Sequence, residues 1–169
     1  GAKIDFVDID LRNYNLCPLK LENKLRSTKK KNLPKAIVLV DFAGKATDLT
    51  KIKRLSQKYN FKIIEDASHA LGAKYKNGYI GNCEFSDIAV FSFHPVKIIT
   101  SAEGGIALTN DLKLANKMER LRSHGITRDL LEMKDPSDGP WFYQQLELGF
   151  NYRMSDIHAA LGLSQLKKV

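Results

Sequence analysis

The chain is poor in cysteine: Cys17 and Cys83 are the only two in 169 residues. A disulfide framework is therefore excluded. Neither cysteine sits in a Cys-x-x-Cys or histidine-rich context, so a zinc cluster has no support either. Long hydrophobic runs are also missing. The longest, Ala36–Val40, falls far short of the ~20 residues that a membrane-spanning helix needs. No charged segment followed by an apolar stretch opens the chain, so no secretory signal is visible and the expected compartment is the cytoplasm. Apolar residues themselves are plentiful. With 43% hydrophobic and 27% charged residues, the composition excludes a disordered chain. A domain of this length buries roughly 70% of the surface its unfolded chain exposes.

The formal net charge is +8, which raises the question of nucleic-acid binding. Its distribution argues otherwise. Much of the excess lies between Lys20 and Lys35, centred on Lys29-Lys30-Lys31 and followed by Asn32, Leu33 and Pro34. A basic run ahead of a proline and an apolar segment reads as a solvated loop. No helix-turn-helix, zinc-finger or RNP signature accompanies it.

Hydrophobic patterning predicts an α/β fold: a mostly parallel sheet flanked by helices. Ile4, Phe6, Val7 and Ile9 suggest a short strand at the start, and Leu19, Leu21 and Leu25 a short helix. Ala36–Val40 is continuously apolar, as a strand buried on both faces would be. Thr47 or Asp48 can cap a helix carrying Leu49, Ile52, Leu55 and Tyr59, and Asn60 can end it in the left-handed conformation. Residues 61–66 form the next strand, so 36–66 reads as a βαβ unit. Residues 87–93 and 105–109 are further strands. Asp111 can cap a helix with Leu114, Ala115, Met118 and Leu121. Residues 126–150 look irregular. Ser155 can cap a last helix with Ile157, Ala160 and Leu161. The chain begins within a strand pattern and stops within a helical one, which predicts a piece of a longer protein.

In open α/β sheets, ligands bind beyond the carboxyl ends of the strands. Two such ends carry reactive side chains. Asp66 closes one strand, with His69 three residues on; Ser92 closes another, with Lys97 in the connection after it. Taken singly, each is weak: an acidic strand end is often a solvated turn, and a loop lysine is usually surface. Together, a carboxylate, an imidazole, a hydroxyl and an amine at one sheet edge suit pyridoxal 5'-phosphate. A lysine can form the Schiff base and a carboxylate can keep the ring nitrogen protonated. The hydroxyl can bond the phosphate.

Three segments carry a resemblance. Glu65-Asp66-Ala67-Ser68-His69-Ala70-Leu71-Gly72-Ala73 resembles the cofactor-ring segment of the DegT–StrS-type sugar aminotransferases. Phe91-Ser92-Phe93-His94-Pro95-Val96-Lys97, with Thr100, Glu103, Gly104 and Gly105, resembles their lysine segment. Gly149-Phe150-Asn151-Tyr152-Arg153-Met154-Ser155-Asp156-Ile157 resembles a third. The blocks fall in the family's order and span essentially the whole chain. The resemblance implies the fold-type-I pyridoxal-phosphate transferase large domain, with residues 1–169 its central portion. The family's N-terminal phosphate loop and C-terminal small domain have no counterpart in the sequence.

By the same resemblance, Lys97 carries the cofactor and shuttles the proton. Asp66 pairs with the ring nitrogen, His69 contacts the ring, and Ser92 binds the phosphate. Asn151 reaches the phosphate of the neighbouring subunit in a homodimer. The implied reaction moves an amino group, from an amino-acid donor such as glutamate, to a UDP-linked 4-keto-6-deoxy sugar. The His94–Lys97 variant and the Val40–Lys45 segment resemble the branch that serves pseudaminic acid biosynthesis. Two alternatives remain at this stage: another fold-type-I enzyme, or a fragment without catalytic activity. Ala102 stands where many relatives have glycine. A subgroup of the family has histidine in place of the lysine and dehydrates its substrate; Lys97 argues against that outcome. His94 is expected to be buried beside the lysine loop, His124 to sit at a helix C-terminus, and His158 to lie on the surface.

Overall fold

Proline is favoured at the first helical position, where its missing N–H would go unbonded in any case. Pro18 accordingly starts α1 (Pro18–Ser27). Leu21 and Leu25, four apart, bury one stripe of it. Leu19 was expected to join them, but two residues of helix turn it to the far side, and it is 68% exposed. The computed structural model describes all 169 residues. They fall into two compact units, Gly1–Asn110 with Ile157–Val169, and Asp111–Asp156.

Strand β1 (Ala36–Val40) leads through a 3₁₀ turn (Phe42–Gly44) to α2 (Leu49–Tyr59). The Asp48 carboxylate caps α2 by accepting from the Lys51 N–H, and Asn60 ends the helix at φ 57°, ψ 55°. Leu49, Ile52 and Leu55 form its buried stripe. Strand β2 (Lys62–Asp66) follows, then a small hairpin of β3 (Lys74–Tyr75) and β4 (Gly78–Tyr79). Strands β5 (Ile88–Ser92) and β6 (Gly105–Leu108) complete the main sheet. Its order is β1-β2-β5-β6. β1, β2 and β5 are parallel, and β6 runs antiparallel to β5. The expected βαβ unit and the mostly parallel sheet are both present.

Strands β1, β2 and β5 alternate in burial. One face carries Ile37, Leu39, Ile63, Ala89 and Phe91, all buried. With Leu21, Leu25, Leu49, Ile52 and Leu55 they make the core. Burying one such leucine or isoleucine contributes about 1.5–3 kcal/mol. The opposite face carries Val38, Ile64, Ile88 and Val90, and it is more open. Val38 is 59% and Val40 40% exposed. The expectation that β1 is buried on both faces is therefore wrong. The helices packed on β1 lie on the Ile37–Leu39 side, and β1 is also a sheet edge.

The expected N-terminal strand is absent as well. Ile4 and Phe6 are each 82% exposed, and the segment makes only an isolated bridge, Ile9 to Leu16. No neighbouring strand offers it a ladder. Side chains take its backbone groups instead: Asp5 Oδ1 accepts from the Phe6 N–H, and Lys24 Nζ donates to the Phe6 carbonyl.

In the second unit, Asp111 caps α3 (Leu112–Leu121) by accepting from the Lys113 and Leu114 N–H groups. The stretch expected to be irregular contains a short ladder pairing β7 (Ile126–Thr127) with β8 (Gln144–Gln145). Helix α4 (Asp156–Leu166) starts directly after Ser155 and, from Ile157 on, belongs to the first unit. Its apolar side chains are largely uncovered: Ile157 is 82% and Leu163 64% exposed. No helix is long and apolar enough to cross a membrane.

Candidate active site

Parallel strands end at one edge of a sheet, so β1, β2 and β5 deliver their last residues together. Register makes this specific. Val40 pairs with Asp66, and Asp66 with Val90, two residues before Ser92. Alternation then places Asp66 and Ser92 on the same face, the open one. Glu65, one residue earlier, faces the core and is 2% exposed.

Asp66 is half-buried. Its Oδ1 accepts from the Ser68 N–H at 3.1 Å and from the Ser68 hydroxyl at 2.5 Å. Those bonds orient the carboxylate and leave Oδ2 without a bond inside the chain. His69 is exposed at the same edge. Its Nδ1 accepts from the Ala43 N–H at 3.3 Å, and its ring lies edge-on to Phe42 at 6.0 Å. A neutral imidazole that accepts at Nδ1 carries its proton on Nε2. The turn approaches closely here: Gly44 has φ +82°, and a Cβ on it would meet the His69 carbonyl at 3.0 Å.

Ser92 ends β5, and its hydroxyl accepts from the His94 N–H at 3.3 Å. The connection from 93 to 104 is tied at its neck. Phe93 donates to the Gly104 carbonyl, and the Phe93 carbonyl accepts from both the Ser101 N–H and the Thr100 hydroxyl. Ser101 is fully buried, its hydroxyl donating to the Glu103 carbonyl at 2.8 Å. Lys97 sits in this tied loop, its N–H donating to the His94 carbonyl at 3.0 Å. The Lys97 side chain is half-buried, and its amine has no hydrogen bond or ion pair within the chain. His94 is exposed rather than buried. Its ring turns outward and accepts from the Val96 N–H. Ala102 has φ 65°, a conformation that glycine adopts without strain.

Lys97, Asp66, His69 and Ser92 therefore share one sheet edge. Asn151 belongs to the second unit, where it is exposed and bridges to Ser123. His124 lies three residues beyond the end of α3 at φ 63°. His158 is half-buried and bonded, not a bare surface residue.

A groove of about 660 Å³ lies wholly within the second unit and contains none of the four edge residues. Three of its four guanidinium groups are engaged within the chain. Arg120 pairs with Glu132 at 3.0 Å, Arg122 with Glu119 at 3.5 Å, and Arg153 donates to the Ser123 hydroxyl. The four edge residues lie outside this groove, on the first unit.

Two further residues at this edge are invisible to motif reading. Asn15 is 2% exposed; its Oδ1 accepts from the Phe42 N–H at 2.8 Å and its Nδ2 donates to the Lys45 carbonyl at 2.7 Å. It clamps both ends of the turn that holds His69. Asp41 is fully buried, accepts from the Thr47 N–H at 2.8 Å, and donates its own N–H to the Asp66 carbonyl at 3.0 Å. A polar residue directly after an apolar run was the one available signal for Asp41.

Residues 1–169 match the DegT/DnrJ/EryC1/StrS aminotransferase family. The chain is 43% identical, over its full length, to a UDP-4-amino-4,6-dideoxy-N-acetyl-β-L-altrosamine transaminase of Campylobacter jejuni, of which it covers 41%. A Helicobacter pylori transaminase of the same name is 44% identical over 134 residues, covering 79% of this chain and 33% of the relative. Among solved structures, Helicobacter pylori PseC, described as an aminotransferase of pseudaminic acid biosynthesis, superposes with a TM-score of 0.83 at 38% identity, covering 97% of this chain and 40% of the other. The sugar aminotransferase Spr1654 of Streptococcus pneumoniae, in its PMP form, gives 0.80 at 28% identity, covering 99% and 45%. The chain thus spans about two fifths of the length of the curated relatives it matches over its whole length.

Proposed function

Because the chain belongs to the DegT/DnrJ/EryC1/StrS aminotransferase family, we propose that it is the central part of the large domain of a pyridoxal-phosphate-dependent nucleotide-sugar aminotransferase. Relatives of known structure include pyridoxal- and pyridoxamine-phosphate forms. The residues at the edge fit that cofactor: an amine, an oriented carboxylate, an imidazole and a hydroxyl. The observation that carries the reading is the half-buried Lys97 amine, without a partner in the chain, at the edge where Asp66 and Ser92 share a face.

When bound, the cofactor supplies the electron sink for amino-group transfer. Lys97 would hold it covalently and, once displaced, accept and return a proton as a general base and acid. Asp66 would keep a proton on the ring nitrogen, using the oxygen that Ser68 leaves free. His69, held by Ala43 and Phe42, would lie against the ring. Ser92 would donate its hydroxyl proton to the phosphate while still accepting from the His94 N–H.

For the whole protein, the proposed acceptor is a UDP-linked 4-keto-6-deoxy sugar. Support comes from the relatives' names: a 4-amino-4,6-dideoxy sugar arises when an amino group replaces a keto oxygen at carbon 4. An amino acid such as glutamate would give up that amino group and leave as its 2-oxo acid. Asn151 would serve the phosphate of a second subunit in a homodimer, and pseudaminic acid biosynthesis in the cytoplasm is the proposed setting. The test is direct. The chain is incubated with pyridoxal phosphate, reduced with borohydride, and digested. The added mass should reside on the peptide containing Lys97; labelling confined to Lys45 or Lys29–Lys31 would overturn the assignment.

A further inference from the structure

Two carboxyl groups lie buried behind the reactive edge. Asp41 is 0% and Glu65 2% exposed, and each has one oxygen, Asp41 Oδ2 and Glu65 Oε1, with no donor. Their other oxygens are satisfied, Asp41 Oδ1 by the Thr47 N–H and Glu65 Oε2 by the Ser86 hydroxyl at 2.8 Å. Asp41 follows the end of β1 and Glu65 lies near the end of β2, and the two side chains are within hydrogen-bonding reach of each other. Two ionised carboxylates in such a place would repel, and both orphaned oxygens would stay unsatisfied. One proton between them removes both penalties.

We propose that Asp41 and Glu65 share a single proton in a buried carboxyl–carboxylate hydrogen bond, and that this pair positions the cofactor-ring residues Asp66 and His69. The link to Asp66 is the backbone: the Asp41 N–H donates to the Asp66 carbonyl at 3.0 Å, and Glu65 precedes Asp66 in β2. The link to His69 runs through the turn that Asp41 starts, where the Ala43 N–H donates to Nδ1 and Phe42 packs against the ring. This positioning role rests on the proposed function, in which Asp66 and His69 face the cofactor ring.

The surroundings favour one proton rather than none. Around the pair are Thr47, ahead of α2; Ser86 and Cys83, on the segment before β5; Tyr75 and Tyr79, of the small hairpin, beside a tiny void next to Glu65; and Asp66, on the other face of β2. No basic side chain is among them. Burial, with the Asp41 charge added, raises Glu65 from 4.5 to about 7. The folded chain therefore holds an extra proton between those pH values. Its stability from this group is present below about pH 4.5 and is lost as pH rises through about 7.

Glu65→Gln supplies the test. The glutamine carbonyl can accept from Ser86 and its amide can donate to Asp41, so it imitates the protonated state at every pH. Melting temperatures of both chains are measured from pH 5 to 8. The melting temperature of the variant relative to the parent should climb with pH; a difference that stays flat would overturn the shared proton. The positioning claim is read by hydrogen–deuterium exchange at pH 6. Peptides covering 41–44 and 66–69 should exchange about tenfold faster in Glu65→Ala and stay near the parent rate in Glu65→Gln. Equal acceleration in both variants, or in neither, would overturn it. Neither arm uses pyridoxal phosphate, so a failure of cofactor capture at Lys97 is separable from a failure of this inference.

Discussion

Glu65 and Asp66 are neighbours in the chain and lie on opposite faces of β2. Glu65 enters the core, where Ser86 donates to it, while Asp66 stands half-buried on the open face with Ser68 bonded to one oxygen. The pleat alone divides their roles. One carboxyl is held where burial favours its protonated form; the other keeps one oxygen unbonded within the chain.

That division makes Asp66→Asn a selective change. Asparagine Oδ1 can still accept from Ser68, so unfolding free energy should change by less than about 1 kcal/mol. What is lost is attraction to a protonated ring nitrogen, about 4 kcal/mol for opposite charges ~4 Å apart at an effective dielectric near 20. In the intact enzyme, kcat for amino transfer should fall by up to roughly a thousandfold. A variant that turns over normally would show Asp66 to be a solvated strand end.

Lys97→Arg separates chemistry from folding differently. The Lys97 amine bonds nothing within the chain, so the melting curve should hardly move. A guanidinium neither condenses with an aldehyde nor gives up its proton near neutral pH. Borohydride should then fix no cofactor mass on the corresponding peptide, and transamination by the intact enzyme should vanish.

Ala102 is a backbone test of the lysine loop. At φ 65° an alanine is strained by roughly 1–2 kcal/mol, part of which glycine returns as extra freedom when unfolded. Ala102→Gly should stabilise the chain by about 0.5–1 kcal/mol in urea titrations. A loss of stability would mean that the left-handed geometry is relieved in solution.

The placement of Asp66, His69, Ser92 and Lys97 at one sheet edge could be read from the sequence because its parts are local. A strand end, a capped helix and a short spacing from Ser92 to Lys97 need only period and position. Residues whose role depends on distant partners were not legible. Ile4 and Phe6 have the pattern of a strand, but a ladder needs a second strand, and Lys24 from α1 takes the Phe6 carbonyl instead. The run Ala36–Val40 shows that it is apolar, not which elements cover it. Asp41 meets Glu65 across two strands, a contact that neither segment announces. His94 looks like a core residue from its apolar neighbours, and only the turn of the loop sends it outward.

Asn15 is the sharpest case of that kind, since a polar connection conceals a buried clamp. It holds the Phe42 N–H and the Lys45 carbonyl, the two ends of the turn against His69. Asn15→Ala would strand both groups in a site that is 2% exposed in the parent, at a cost of about 1–3 kcal/mol for each that water cannot reach. Asn15→Asp keeps the acceptor for Phe42 but sets a carboxylate against the Lys45 carbonyl, where a donor is required. Both variants should therefore lower stability by roughly 2–4 kcal/mol in urea titrations, and the aspartate should recover stability at low pH, where its protonated oxygen can donate to Lys45. An aspartate variant as stable as the parent at neutral pH would show that the turn is held by Asp41 and Thr47 without the help of Asn15.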